Sequence, residues 1–133
     1  MTKKILLITL VALFTFSCGG SKKADRESTR KGEITIMHVN DFEDLVKQGA
    51  IRVIDVRTPH EYAEGHIEGA ENIDVQKPDF MERLRPKGSI AVYCRTGRRS
   101  HQAAVMIAEQ GWPVYDLGGG IMTWMQSGKP TVR

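Results

Sequence analysis

SIAVYCRTGRRS, residues Ser89 to Ser100, reads as a strand that runs into a tight turn and then a helix. Ile90 to Tyr93 is a short apolar run with β-branched members, the composition of a strand buried on both faces. Cys94 ends it, and Gly97 permits the positive φ that a close backbone wrap requires. A helix is predicted from near Arg99 to Gly111, because Ala104, Ile107, Ala108 and Gly111 fall on one stripe.

The same alternation extends in both directions. Upstream, IRVIDV (Ile51 to Val56) is a second β-branched run. It leads into Thr58, Pro59 and Glu61, which have the spacing of a capping box with proline at the first helical position. Ile34, Ile36 and Val39 predict a first strand, and Asn40 with Glu43 predicts a capping box for a helix through Lys47 that Gly49 ends. A short strand is expected at Asn72 and Ile73, and a brief helix from Asp79 to Leu84 that Pro86 closes. Downstream, Val114 to Leu117 predicts a strand, Gly118 to Gly120 a turn, and Ile121 to Gln126 a last helix. Strands alternating with helices imply an α/β fold, a mainly parallel sheet with helices on both faces.

In such a sheet, ligands bind beyond the carboxyl ends of the strands. That places Cys94 where the unpartnered amides of a helix N-terminus converge on an anion. Three arginines, Arg95, Arg98 and Arg99, follow within five residues. A free thiol titrates at about 8.5, and helix termini or neighbouring cations lower that value. One unit charge at about 5 Å with an effective dielectric near 20 contributes roughly 3 kcal/mol before screening, so one well-placed arginine matters. Cys94 is therefore expected to be a nucleophile, and the arginines suit a planar or tetrahedral oxyanion.

The chain resembles a single-domain rhodanese, a sulfurtransferase fold. The resemblance rests on three separated blocks in the family's order and spacing: IDVRTPHEYAEGHIEGAENI (54 to 73), VYCRTGRRS (92 to 100) and DLGGGIMTWMQSGKP (116 to 130). It implies a five-stranded sheet, and a cysteine that takes sulfur from a donor as a persulfide and hands it to cyanide or a thiol. Carried onto this chain, Cys94 bears the persulfide, while Arg95, Thr96, Gly97, Arg98 and Arg99 complete a six-residue loop whose amides cradle the outer sulfur. Asp55 and Arg57 are expected to tie loops near the site. The implied partners are a small anionic, thiosulfate-like donor and a thiol or protein-cysteine acceptor, with no cofactor.

The main rival is a cysteine phosphatase, whose signature places arginine after five intervening residues. Here that position is Ser100, and Arg99 comes one residue early. A third reading, a mere binding module, is weakened because inactive rhodanese-like modules often lack the cysteine; disulfide exchange with a partner protein is a further option, which the lack of a resolving cysteine disfavours. His66 and His101 read as packing, capping or solvent-facing residues, and Trp112 and Trp124 as core or edge packing. The three glycines lack the lysine and hydroxyl residue of a phosphate loop. No metal site is signalled.

At 133 residues the chain holds one ordinary domain, 41% hydrophobic and 26% charged. Residues 33–133 are assigned to it. Lys3 and Lys4 precede an apolar run from Ile5 to Phe16, which is too short for a bilayer-spanning helix and reads as a signal peptide over residues 1–17. TFSCGG around Cys18 resembles a bacterial lipobox, in which the cysteine is lipid-modified. Residues 18–32 then form a charged tether. Without residues 1–17 the formal charge drops from +3 to +1, so nothing global attracts nucleic acid. The expectation is export to the cell envelope on a lipid anchor facing the periplasm, with Cys94 as the remaining free thiol.

Overall fold

The computed structural model describes residues 30–133. The signal segment, Cys18 and most of the tether lie outside the described residues. Five strands, β1 (Ile34–Met37), β2 (Arg52–Asp55), β3 (Glu71–Asn72), β4 (Ile90–Tyr93) and β5 (Val114–Leu117), form one parallel sheet in the order β1-β5-β4-β2-β3. The helices are α1 (Val39–Gln48), α2 (Pro59–Glu64), α3 (Phe80–Leu84), α4 (Arg98–Glu109) and α5 (Gly120–Gln126). This is the expected α/β architecture.

All four residues of β4 are buried because it is the central strand. The two-residue pleat divides them. Ile90 and Val92 join Phe80 and Leu84 of α3 and Ala103, Ala104 and Ile107 of α4 on one face. Ala91 and Tyr93 join Phe42 of α1 and Ile121 and Trp124 of α5 on the other. Full burial of one such aliphatic or aromatic side chain contributes about 1.5–3 kcal/mol, so these two clusters supply most of the drive to fold. Among the described residues, no helix is long and apolar enough to cross a membrane.

Two sequence expectations change. Strand β1 ends at Met37, and Val39 opens α1 instead of closing the strand. The helix starts earlier than Asn40, with His38 at the N-cap and no side-chain cap, so the Asn40–Glu43 capping box does not form. Glu43 pairs with Lys47 at 2.6 Å and with Lys129 instead. The reason lies in how the strand end is held. The Gly118 amide pins the Met37 carbonyl at 3.0 Å, and the chain must turn at once to bring Phe42 into the core. Just ahead of β1, the Gly32 amide donates to the Ala108 carbonyl at 2.7 Å.

Candidate active site

Strands β2 and β4 are neighbours, but the helices that follow them cover opposite faces: α2 lies on the α1 and α5 side, α4 on the α3 side. The crevice between their carboxyl ends is the switch point of the sheet. Arg57 leaves from one strand and Cys94 from the other.

The β2 exit is built as a scaffold. Asp55 and Arg57 form a buried bidentate pair, with Nε at 2.9 Å and Nη2 at 2.7 Å. Arg57 Nη2 also donates to the Gly65 carbonyl at 2.7 Å, and Asn72 Nδ2 donates to the carbonyls of Asp55 and Arg57. The Arg57 guanidinium lies 5.8 Å from the Tyr93 ring centroid. Thr58 caps α2 as expected: its Oγ1 accepts from the Glu61 amide at 3.3 Å, and the Glu61 carboxylate accepts from the Thr58 amide at 3.1 Å. His66 is a packing residue, stacked 3.6 Å from Tyr62 with Nδ1 at 2.9 Å from the Tyr62 carbonyl.

The β4 exit carries the thiol. Cys94 is 1% exposed, and its Sγ accepts a hydrogen bond from the Gly97 amide at 3.0 Å. Gly97 has φ 102° and caps α4. The helix therefore begins at Arg98, so the six-residue loop is a four-residue turn plus the first two residues of a helix. A ring of amides was expected around an outer sulfur; at Sγ itself one amide is in range. The first-turn amides of α4, next to this turn, have no intrahelical acceptor.

The three arginines separate. Arg95 and Arg98 are exposed. Arg99 turns in and grips Glu61 with two bonds, Nη1 to Oε2 at 2.7 Å and Nη2 to Oε1 at 2.8 Å. This fork, with burial opposing it and the Thr58 bonds assisting, holds the Glu61 carboxyl at about 2. Glu61 thus links the two loops across the crevice. Sequence reading missed this role; the capping-box spacing revealed Glu61 as a helix residue only.

The turn is also clamped from α5. The Ile121 and Met122 amides donate to the carbonyls of Cys94 and Arg95 at 2.9 and 3.1 Å. Gly120, at φ 63°, allows this approach: a Cβ there would stand 2.6 Å from the Cys94 carbonyl oxygen. Trp124 is core, with Nε1 donating to the Pro130 carbonyl at 2.9 Å. Beside the turn, Gln76, Thr96, Arg98, Arg99 and Gln102 line a hollow of about 360 Å³ whose charges suit an oxyanion. Among the described residues, no group of His, Cys, Asp and Glu side chains is placed to hold a metal.

Comparison with known proteins places the chain in a family. The Rhodanese-like domain model matches residues 38–127. A sulfurtransferase of Allochromatium vinosum is 36% identical over 84 residues, covering 62% of this chain and 78% of that protein. Thiosulfate sulfurtransferase 16, chloroplastic, of Arabidopsis thaliana is 33% identical over 112 residues, covering 74% and 88%. The crystal structure of a rhodanese-related protein from Thermoplasma volcanium superposes with a TM-score of 0.64 at 31% identity, covering 74% of this chain and 97% of that one. The matched stretch runs from the N-cap of α1 to the C-cap of α5 and encloses the Cys94 turn, and the chain belongs to the rhodanese-like domain family.

Proposed function

We propose that this protein is a sulfurtransferase that moves sulfane sulfur from a thiosulfate-like anion to a thiol or cyanide through a persulfide on Cys94. The observation that carries the reading is the Gly97 N–H at 3.0 Å from Sγ, on a turn that feeds the N-terminus of α4. Among the described residues, this amide makes the hydrogen bond to the thiol, and no carboxylate or imidazole is bonded to it. Sulfur transfer has little use for a general base, because the attacking and leaving groups are anions already. In the loading step the Cys94 thiolate attacks the outer sulfur of thiosulfate; a new S–S bond forms, the old one breaks, and sulfite leaves with its electron pair. In the unloading step an acceptor thiolate attacks the outer sulfur of the persulfide, and Cys94 departs as thiolate.

Arg95 and Arg98, exposed beside the turn, attract the donor. Arg99 is less available. Its fork is already filled by Glu61, which disfavours phosphatase chemistry, in which an arginine must clasp a tetrahedral phosphate. Parallel assays test the choice. Thiocyanate should form from thiosulfate and cyanide, with negligible hydrolysis of an aryl phosphate. Phosphate release without thiocyanate would reverse the assignment.

We also propose export and lipid anchoring at Cys18 in the cell envelope, from the Lys3–Ser17 pattern and the TFSCGG stretch. Incorporation of labelled fatty acid should disappear in Cys18→Ala.

A further inference from the structure

Behind the Cys94 turn, on its β5 side, lies a recess of about 350 Å³ bordered by Ile36, Thr96, Gly97, His101, Asp116 and Leu117. Asp116 is 3% exposed, and its Oδ1 has no hydrogen-bond partner among the described residues. The polar groups beside the carboxylate, Ser100 and His101, leave Oδ1 without a bond. The Ser100 hydroxyl donates to the Gly97 carbonyl at 3.2 Å. His101 Nδ1 stands 3.9 Å from Oδ2, beyond hydrogen-bond range, with its side chain half exposed. Burial pushes the Asp116 carboxyl up, and Ser100 and His101 only partly oppose it. A buried carboxylate oxygen without a donor costs free energy that a ligand can recover.

The shape and chemistry of the recess narrow the ligand. A carboxylate floor rejects oxyanions and selects a cation. Two side chains, Asp116 and His101, are too few for a metal ion. Ile36 and Leu117 offer apolar walls to an aliphatic stem. The recess also shares a wall with the site. Gly97 borders it, gives its amide to Cys94 Sγ, and accepts at its carbonyl from the His101 amide at 3.1 Å.

We propose that this recess binds the ammonium group of an amine-bearing thiol, so that aminothiols are the acceptors this protein selects. The proposal rests on the sulfurtransferase reading above. In the step it serves, the acceptor thiolate bonds to the outer sulfur of the Cys94 persulfide, the Cys94–S bond breaks, and its electron pair leaves on Cys94. The ammonium stays on Asp116 and exchanges no proton.

The test loads the full domain with thiosulfate and compares sulfur transfer to 2-aminoethanethiol and 3-aminopropanethiol with transfer to 2-mercaptoethanol and 3-mercaptopropanol. The amine-to-hydroxyl rate ratio should fall about 10-fold in Asp116→Asn, the size expected for one charge-assisted hydrogen bond. Ethylammonium should slow transfer to the aminothiols on the unaltered protein, which needs no variant. Equal ratios in both proteins, or no competition by ethylammonium, would overturn the proposal. Should Cys94 fail to load, the sulfurtransferase reading falls by itself. The recess is then read directly: ethylammonium shifts the His101 ring resonances if it binds there, and unshifted resonances would refute the site.

Discussion

Two loops leave the sheet side by side, and they treat their polar groups in opposite ways. After β2, Asp55, Arg57, Thr58 and Asn72 are bonded to one another or to backbone, and the ion pair is buried. After β4, the thiol has one N–H donor, and Arg95 and Arg98 stand in solvent. Satisfied groups hold a shape; unsatisfied ones wait for a ligand. The first loop is scaffold and the second is site, and Glu61 with Arg99 joins them.

The sharpest way to break this contrast is to remove a scaffold charge. Asp55→Ala leaves Arg57 buried without its partner and should cost about 3–5 kcal/mol in urea unfolding. Any protein that remains folded should still load sulfur. Retained stability would show that the pair is not holding the loop. Gly120→Ala acts on the other loop: strain at φ 63° and overlap with the Cys94 and Arg95 carbonyls should cost about 2–4 kcal/mol. Because those carbonyls carry the turn, thiosulfate reactivity should also fall about 100-fold. Unchanged kinetics would mean that the clamp from α5 does not set the turn.

These two cases also mark what was legible in the sequence. The apolar runs at 51–56 and 89–93 exposed the sheet, and Thr58, Pro59 and Glu61 exposed α2, because local spacing dictates those features. The position of Cys94 at the end of the central strand was legible for the same reason. The partner of Arg99 was not. Glu61 lies 38 residues away, and which of three arginines turns inward depends on packing across the switch point. The Asn40 capping box failed because the end of β1 is fixed by β5, a long-range constraint that outweighed a local motif. Asp116 looked like an ordinary residue of a strand, and only burial made its carboxylate stand out.

Smaller changes test the link between the loops. Glu61→Gln should cost about 1–2 kcal/mol at neutral pH, between the ranges for exposed and buried pairs. The pH dependence follows from its lowered value. A carboxyl at about 2 when folded against an ordinary 4.5 stabilises the fold above about pH 4.5, and that stabilisation fades as pH falls towards 2. Across that window the melting temperature of the parent protein should drop more steeply than that of Glu61→Gln. Parallel curves would dissociate Glu61 from acid stability. The smallest effect belongs to Arg98→Ala, which should leave the melting temperature unchanged and raise the KM for thiosulfate about 2- to 5-fold, less so at high salt. A salt-independent change would mean that Arg98 contacts the donor instead of attracting it.

The most direct measurement is the intact mass of the domain after incubation with thiosulfate. The parent protein should gain one sulfur atom and lose it on addition of cyanide, while Cys94→Ser gains none. An unchanged mass in the parent, or the same gain in Cys94→Ser, would contradict a persulfide on Cys94.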